Sequence, residues 1–308
     1  MSGRKFALAP ALALALALAL PASAQDLRSP AFMPLSGGAR AYALSGALVA
    51  LTDDAGAAFL NPARLAFVGG PSVEAGYARL VEGLPSDRGE LAYARPLGEP
   101  IAAPFQREGA YRYVVAGAAE YQRLELSQGS RYGEFTGTLA ASLAPANIVA
   151  VGAALRGLRT SSEVDGLSAT GMALDLGFSM SLHPNLELAV AAHNLAGQVR
   201  YEGREKETPG RSLQFALAFA RWHWAQAEAD YDEDYNDARS VAVGVEVLPE
   251  GIVSVRGGVR HWLDPESHTV PSAGVGFRRK GVFLDYAARF DSEDALGLQH
   301  RISIGLRP

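Results

Sequence analysis

The sequence predicts an all-β protein, a transmembrane antiparallel β-barrel of about 14 strands with a short N-terminal helical hatch in its lumen. Three observations predict it: apolar residues recur with a period of two, connections alternate in length, and the N-terminal region lacks the alternation. The 308 residues carry a formal charge of −5 and a mean hydropathy of +0.04. That average would suit a soluble domain, but strands with one apolar and one polar face also average to near zero.

Residues 1–24 have the features of a secretory signal peptide. Arg4 and Lys5 precede an Ala/Leu-rich run that ends at Leu20, and Ala22-Ser23-Ala24 provides a small-residue cleavage site. The run is shorter than the roughly 20 residues of a spanning helix, which favours cleavage over an uncleaved anchor. Cleavage after Ala24 predicts export, and a barrel following it predicts the outer membrane.

Residues 25–70 predict the hatch, because they are rich in Ala and Gly and lack strand alternation. The pair Asp53-Asp54 suits a helix N-terminus, where carboxylates meet free backbone amides. The proline of Asn61-Pro62-Ala63 should interrupt that helix. The candidate hatch residues are Gly46, Asp53, Asp54, Asn61, Pro62 and Ala63.

Residues 71–308 predict the barrel. Apolar residues alternate with small or polar ones in about 14 segments, most clearly over 172–182, 241–247 and 282–290. Many segments reach the 9–11 residues that a tilted membrane strand needs, whereas soluble strands cluster near 5–6. A periplasmic β-sandwich that buries its aliphatic faces is the alternative.

The connections between these segments alternate in length from the fourth segment onward. The short ones are 144–146, 184–185, 249–250 and 280–281, and the longer polar ones include 159–168, 196–210, 232–238 and 262–270. An outer-membrane barrel has this arrangement, with tight periplasmic turns and longer external loops, whereas a sandwich has no reason to sort its loops in this way.

Four short motifs carry a family resemblance. Gly-Ala-Arg at 38–40, Gly-Ala-Leu-Val-Ala at 46–50, Asp-Asp-Ala at 53–55 and Asn-Pro-Ala at 61–63 occur in this order. Together they resemble the N-terminal signature of the PorV/PorQ family, which is related to the FadL-type hydrophobic-compound channels. Later segments agree with that resemblance, and they cover residues 173–177, 191–197 and 298–306.

The resemblance implies a 14-stranded outer-membrane barrel with an N-terminal hatch, and it implies two alternative functions. FadL-type members conduct apolar compounds through a hatch and a lateral opening. PorV instead serves secretion as an outer-membrane carrier of exported protein cargo. Such barrels usually end with an aromatic residue that the assembly machinery recognises, and the closing Arg307-Pro308 departs from this pattern.

Charged residues on the non-aliphatic faces of the segments should point into the lumen. They either pair with one another and with the hatch, or polarise a permeation path, and both interpretations stay open. The set comprises Glu120, Arg156, Asp175, Glu187, Glu246, Arg256, Arg260, Asp285, Arg289 and Arg301. His193 and His300 are expected to face the lumen as hydrogen-bonding residues.

No enzyme activity, cofactor or metal is predicted. The chain has no Cys, its six His lack metal-ligand spacing, and it contains neither a nucleophile elbow nor a phosphate loop. The acidic run 230–237 is expected in a solvated external loop rather than a calcium site, because it lacks the required glycine and closing glutamate. The expected partners are outer-membrane lipid and the barrel-assembly machinery, with hydrophobic small molecules or secreted proteins as alternative cargo, and the acidic balance predicts no nucleic acid.

Overall fold

The computed structural model describes residues 28–29, 37–79, 86–101, 110–125, 130–164, 166–203, 206–222, 224–234, 238–247, 252–263, 267–291 and 297–307. The predicted signal peptide and much of 25–36 lie outside these ranges. Within them, no helix is both long and apolar enough to cross a bilayer.

Fourteen strands form one closed antiparallel barrel, which confirms the predicted fold class. Each barrel strand pairs with the next one along the chain, and the last pairs with the first. The barrel strands are β2 (Ser72–Arg79), β3 (Ser86–Ile101), β4 (Ala110–Glu125), β5 (Arg131–Ala146), β6 (Val149–Ser162), β7 (Ala169–His183), β8 (Leu186–Tyr201), β10 (Ser212–Trp222), β11 (Ala225–Asp234), β12 (Arg239–Val247), β13 (Val253–Trp262), β14 (His268–Arg279), β15 (Val282–Asp291) and β16 (Gly297–Leu306).

Two short strands extend the sheet beside β8. Strand β9 (Lys206–Pro209) pairs with the end of β8, and β1 (Arg28–Ser29) runs parallel to β9. The expectation that 196–210 is an external loop was therefore wrong, because most of this stretch is strand.

The alternation of side chains matches the predicted faces. On β12, Val241, Val243 and Val245 point outward and are 37–44% exposed, while Ala242 and Glu246 point inward and are at most 1% exposed. A closed sheet leaves no unpaired edge in the bilayer, and outward aliphatic residues suit its hydrocarbon.

The barrel wall has two parts of different height. Strands β3–β8 are 14–16 residues long and are called the tall wall. Strands β10–β16 and β2 are 8–12 residues long and are called the short wall. Tight turns such as 184–185 and 280–281 join the strands at one end, called the short-turn end.

The lumen contains residues 37–71, called the hatch. It has helices α1 (Gly38–Ala43) and α2 (Ala57–Leu60) and the 3-10 helix η1 (Pro62–Phe67). Helix α1 contacts β13–β16 and β2 of the short wall, whereas α2 and η1 contact β4–β7 of the tall wall. The break predicted at Asn61-Pro62-Ala63 is present, since α2 ends before it and η1 begins within it.

Candidate functional site: the lumen and its hatch

Asn61 ties the hatch to the tall wall. Its Nδ2 donates to the carbonyl oxygens of Val49 at 3.1 Å and Phe178 at 3.2 Å, and its Oδ1 accepts from the backbone N–H of Ala63 at 3.1 Å. The side chain is fully buried, and it provides hydrogen bonds to three backbone groups that water does not reach. Pro62 follows it at the first position of η1, where its fixed φ suits a helix start.

Glycines on the wall admit the hatch backbone. A Cβ at Gly177 would overlap with Asn61 Oδ1, and one at Gly152 would overlap with the Pro62 carbonyl carbon. On the short wall, Gly258 receives the Leu44 backbone in the same way. Elsewhere, alanines line the contact between the hatch and β8 and β10, where the packed residues are Val49, Ala50, Ala189, Ala191, Ala216 and Ala218.

Arg64 gives the tall wall its ion pair with the hatch. Its Nη1 lies 3.5 Å from Glu187 Oε2 and 3.2 Å from Ser179 Oγ, and its Nε donates to the Thr52 carbonyl at 3.0 Å. Each of these side chains is buried.

A chain of alternating charges joins the hatch to the short wall. Arg40 Nη1 lies 2.7 Å from Asp53, and its Nη2 lies 2.9 Å from Glu246. Glu246 is also 2.6 Å from Arg256, whose Nη1 is 2.6 Å from Asp285. Burial alone would lower the pKa of Arg40. The nearby carboxylates, of which Glu246 has the largest effect, raise that pKa above its ordinary value.

The second hatch carboxylate, Asp54, has several partners. Its Oδ1 accepts from the N–H of Gly56 at 3.0 Å, immediately before α2, and its Oδ2 lies 3.7 Å from Arg40 and from Arg307. Arg307 also contacts Asp53. The carboxylates predicted for a helix start therefore have ion pairs as their main partners, and α2 itself begins at Ala57.

Gly46 lies where the hatch turns beside β13. Its φ is +88°, and a Cβ there would be 2.6 Å from Arg260 Nη2. Arg260 donates from Nε to the Ser45 carbonyl at 3.0 Å and pairs with Asp232. Glycine at this position therefore serves both the left-handed turn and the approach of the guanidinium.

Tyr42 of α1 lies between two guanidiniums. The Cζ atoms of Arg289 and Arg301 are 4.8 and 4.7 Å from the ring centroid, and the hydroxyl donates to Gln299 Oε1. Cations over an aromatic face are attracted by its quadrupole. Burial raises the pKa of Tyr42, while the two arginines oppose that shift.

Beside this tyrosine, Glu90 links strands β3 and β16 to the start of α1. It accepts from the N–H of Gly38 at 2.7 Å and lies 3.8 Å from Arg88 and 3.9 Å from Arg301. Arg88 also pairs with Glu120.

Strand β8 of the tall wall carries a bulge at residues 193–195. Pairing of β8 with β10 ends at His193, and the register between β7 and β8 shifts around Asp175. His193 Nδ1 lies 3.3 Å from Asp175 Oδ2, and Asn194 has φ +52° and donates to the Gly210 carbonyl at 2.7 Å. Arg156 donates to Asn194 Oδ1 at 3.2 Å. Hydrogen bonds therefore bridge the interruption in this structure.

Between the bulge and the end of β8, inward-facing residues of the tall wall form an apolar cluster. Leu158, Val199 and Tyr201 pack with Ala169 and Ala173, and none is more than 9% exposed. Ala169 begins β7 and Tyr201 ends β8, so the cluster lies toward the end with the longer loops. The cluster is therefore a closely packed apolar region at the opposite end from η1.

The structure brings most of the sequence-selected charges into ion pairs. Arg289 instead lies over Tyr42, and His300 is exposed on the outer face beside Tyr286, so the lumen expectation for His300 was wrong. The residues found inward and paired are Glu120, Arg156, Asp175, Glu187, Glu246, Arg256, Arg260, Asp285 and Arg301.

Several inward residues were missed by the sequence analysis. Asp230 and Asp232 belong to β11 and are buried, so the expectation of a solvated loop was wrong for them. The period-two alternation could have found them together with Arg88, Glu90 and Glu228, since all lie on inward positions. No group of three or more His, Asp or Glu among the described residues is arranged to hold a metal ion.

No protein-family model and no curated protein sequence matches the chain. Solved structures do match. CymD, a monoaromatic hydrocarbon channel, has a TM-score of 0.71 at 13% identity, covering 90% of this chain and 99% of CymD. The toluene transporter TodX of P. putida has a TM-score of 0.67 at 12% identity, covering 89% of this chain and 99% of TodX. A FadL homologue of Pseudomonas aeruginosa has a TM-score of 0.59 at 12% identity, covering 92% and 100% of the two chains.

At such low identity the likeness shows the fold, which is a FadL-like barrel. Membership of the PorV/PorQ family stays a prediction.

Proposed function

We propose that the protein is an outer-membrane channel for hydrophobic or amphipathic small molecules, and that the hatch closes it. The observation that carries the proposal is a membrane-type barrel whose lumen is filled by residues 37–71, held by non-covalent contacts alone. The tall-wall part of the hatch lies at the short-turn end, because η1 packs against Ala110, Ala144 and Ala150, which lie at or beside the strand ends there.

The apolar cluster around Leu158 supports the substrate class. It lies at the long-loop end, opposite η1, so a solute that enters there and separates these packed side chains would meet apolar groups before the charged residues nearer the short-turn end. Binding pockets for such molecules combine apolar walls with a few polar groups. Of three solved barrels of this fold, one is described as a monoaromatic hydrocarbon channel and two as toluene transporters, so a small aromatic hydrocarbon is the first probe.

The path past the hatch is favoured over a path through the wall. The FadL resemblance implies a lateral opening, and the bulge at His193 is the interruption of pairing where one would form. That interruption is bridged by Asn194 and Arg156. We therefore propose that displacement of the hatch opens the lumen, with the wall route as the competing outcome of the tests.

The alternative function is that of a PorV-like carrier of exported proteins, and it rests on the motifs at 38–63. Cargo that co-purifies with the intact barrel and is lost on shortening the connection between β8 and β9 would support it. Absence of cargo from the intact protein would count against it.

Toluene entry into vesicles with a lipopolysaccharide outer leaflet tests the proposed channel. Barrel-containing vesicles should take up toluene faster than protein-free ones. Leu158→Asp should slow uptake several-fold, because a carboxylate in the apolar cluster must be desolvated. Leu158→Met, which keeps the cluster apolar, is the matched control. Equal uptake with and without the barrel would overturn the proposal.

A further inference from the structure

Arg307 extends the last strand into contact with the hatch. Its N–H donates to the Gly281 carbonyl at 2.7 Å, which continues the pairing of β16 with the preceding strand by one residue. This bond fixes its backbone at the short-turn end of the short wall. The side chain is 8% exposed and is directed toward the hatch.

The contacts of Arg307 are with the two hatch carboxylates. Its Nη2 contacts Asp53, and its Nη1 lies 3.7 Å from Asp54 Oδ2. The hatch has no other acidic residue. Among the described residues, Arg307 is the sole barrel cation within ion-pair distance of either carboxylate, since their other partner, Arg40, belongs to the hatch itself.

The surroundings of Arg307 disfavour its positive charge, so the charge needs the two carboxylates as partners. Burial lowers its pKa, and the neighbouring Arg40 guanidinium lowers it further. Arginine nevertheless keeps its charge in proteins, so the carboxylates must compensate a buried cation. Asp53 is the more exposed of the two, with 26% of its side chain accessible, so among the described residues its pair with Arg307 is the most accessible ion pair between the hatch and the barrel.

We propose that Arg307 is a latch: a positioning residue that holds Asp53 and Asp54 against the end of β16 and keeps the short-wall side of the hatch closed. This inference rests on the proposed function for its role in transport, but the contact itself can be tested without transport. Release of the latch should free α1 and the turn after it, while η1 stays packed against the tall wall.

Thiol labelling in the folded barrel tests the latch, because the natural chain has no Cys. Ser45→Cys reports the short-wall side and Ala66→Cys the tall-wall side, since these residues are 3% and 0% exposed. Arg307→Gln should raise the maleimide labelling rate at position 45 by tenfold or more and leave position 66 protected. Arg307→Lys should restore most of the protection, because it keeps the charge.

Two controls separate a latch from a general loss of structure. Arg279→Gln removes an exposed arginine at the same end of β14 and should leave both labelling rates unchanged. In an Asp53→Asn, Asp54→Asn background, Arg307→Gln should add nothing, because its partners are already neutral. If Arg307→Gln does not fold, as judged by heat-modifiable migration on gels, this carboxamide background and Arg307→Lys test the same contact.

Unchanged labelling at position 45, or equal increases at both positions, would overturn the latch. Toluene uptake is measured separately, so the two failures are distinguishable. Labelling that changes as expected without any toluene uptake would support the latch and overturn the channel, and the reverse pattern would do the opposite.

Discussion

The hatch meets the two walls of the barrel in different ways. Both walls use glycines to admit its backbone, as Gly177 does on the tall wall and Gly258 on the short wall. At the tall wall, the amide of Asn61 donates to the Phe178 carbonyl, Arg64 forms the ion pair with Glu187, and Glu90 accepts from the start of α1. The short wall adds an extended chain of alternating charges that runs through Arg40 and both hatch carboxylates.

This difference indicates which side of the hatch can move. Close packing and backbone hydrogen bonds are lost outright when a segment shifts, because nothing replaces them. The charge network of the short wall ends at Asp53, whose side chain is 26% exposed, so water can solvate this carboxylate when its contact with the wall breaks. We infer that the tall wall anchors the hatch and that the short wall releases it.

Removing a charge from the centre of the short-wall chain should have the largest effect. Glu246→Gln leaves Arg40 and Arg256 without their shared carboxylate, and loss of one partner of a buried pair costs about 3–5 kcal/mol. Guanidinium unfolding would measure the cost. Asp87→Asn, which breaks an exposed pair with Arg123, should cost about 0–1 kcal/mol. Equal costs for the two variants would show that the buried ion pairs stabilise the protein no more than the exposed pair does.

Adding a side chain at a glycine contact should have the next largest effect. Gly177→Val on the tall wall and Gly258→Val on the short wall each force the hatch away from the wall, for about 1–3 kcal/mol of overpacking. Gly257→Val is the matched control, because its side chain would point outward with no atom within 4 Å. If Gly257→Val destabilises as much, the effect belongs to strand propensity and not to the hatch.

A smaller effect is expected at the amide of the tall-wall anchor. Asn61→Ala removes a bond to the Phe178 carbonyl and the cap at the start of η1, which should cost about 1–2 kcal/mol in unfolding free energy. Asn185→Ala, in the turn between β7 and β8, serves as the control and should change stability little. A neutral result at Asn61 would contradict its role as an anchor.

The sequence was sufficient for most of the fold, because alternation and turn spacing are local signals. It failed beside β8, because the strand continues past the bulge at 193–195, so that Val199 and Tyr201 face inward within an expected loop. It also failed at Asp230 and Asp232, because a polar lumen makes a strand resemble a solvated loop.

The sequence could not predict which of the lumen charges pair with one another. Partners such as Arg40 and Glu246 are 206 residues apart, and their contact depends on how the hatch sits across the barrel. Arg307 gave no local signal at all. It comes after the last strand, and its role depends on a hatch that precedes the first barrel strand.

A reversible cross-link between hatch and wall tests the gating claim most directly. Leu44→Cys with Gly244→Cys would place two thiols on a hatch–β12 contact where the Cβ positions are 2.9 Å apart, and a small outward shift brings them into disulfide range. Closure by the hatch predicts that toluene uptake is blocked in the oxidised variant and restored on reduction, with Leu44→Cys alone insensitive to both treatments. Equal uptake by the oxidised and reduced forms would contradict it and favour a route through the wall at His193.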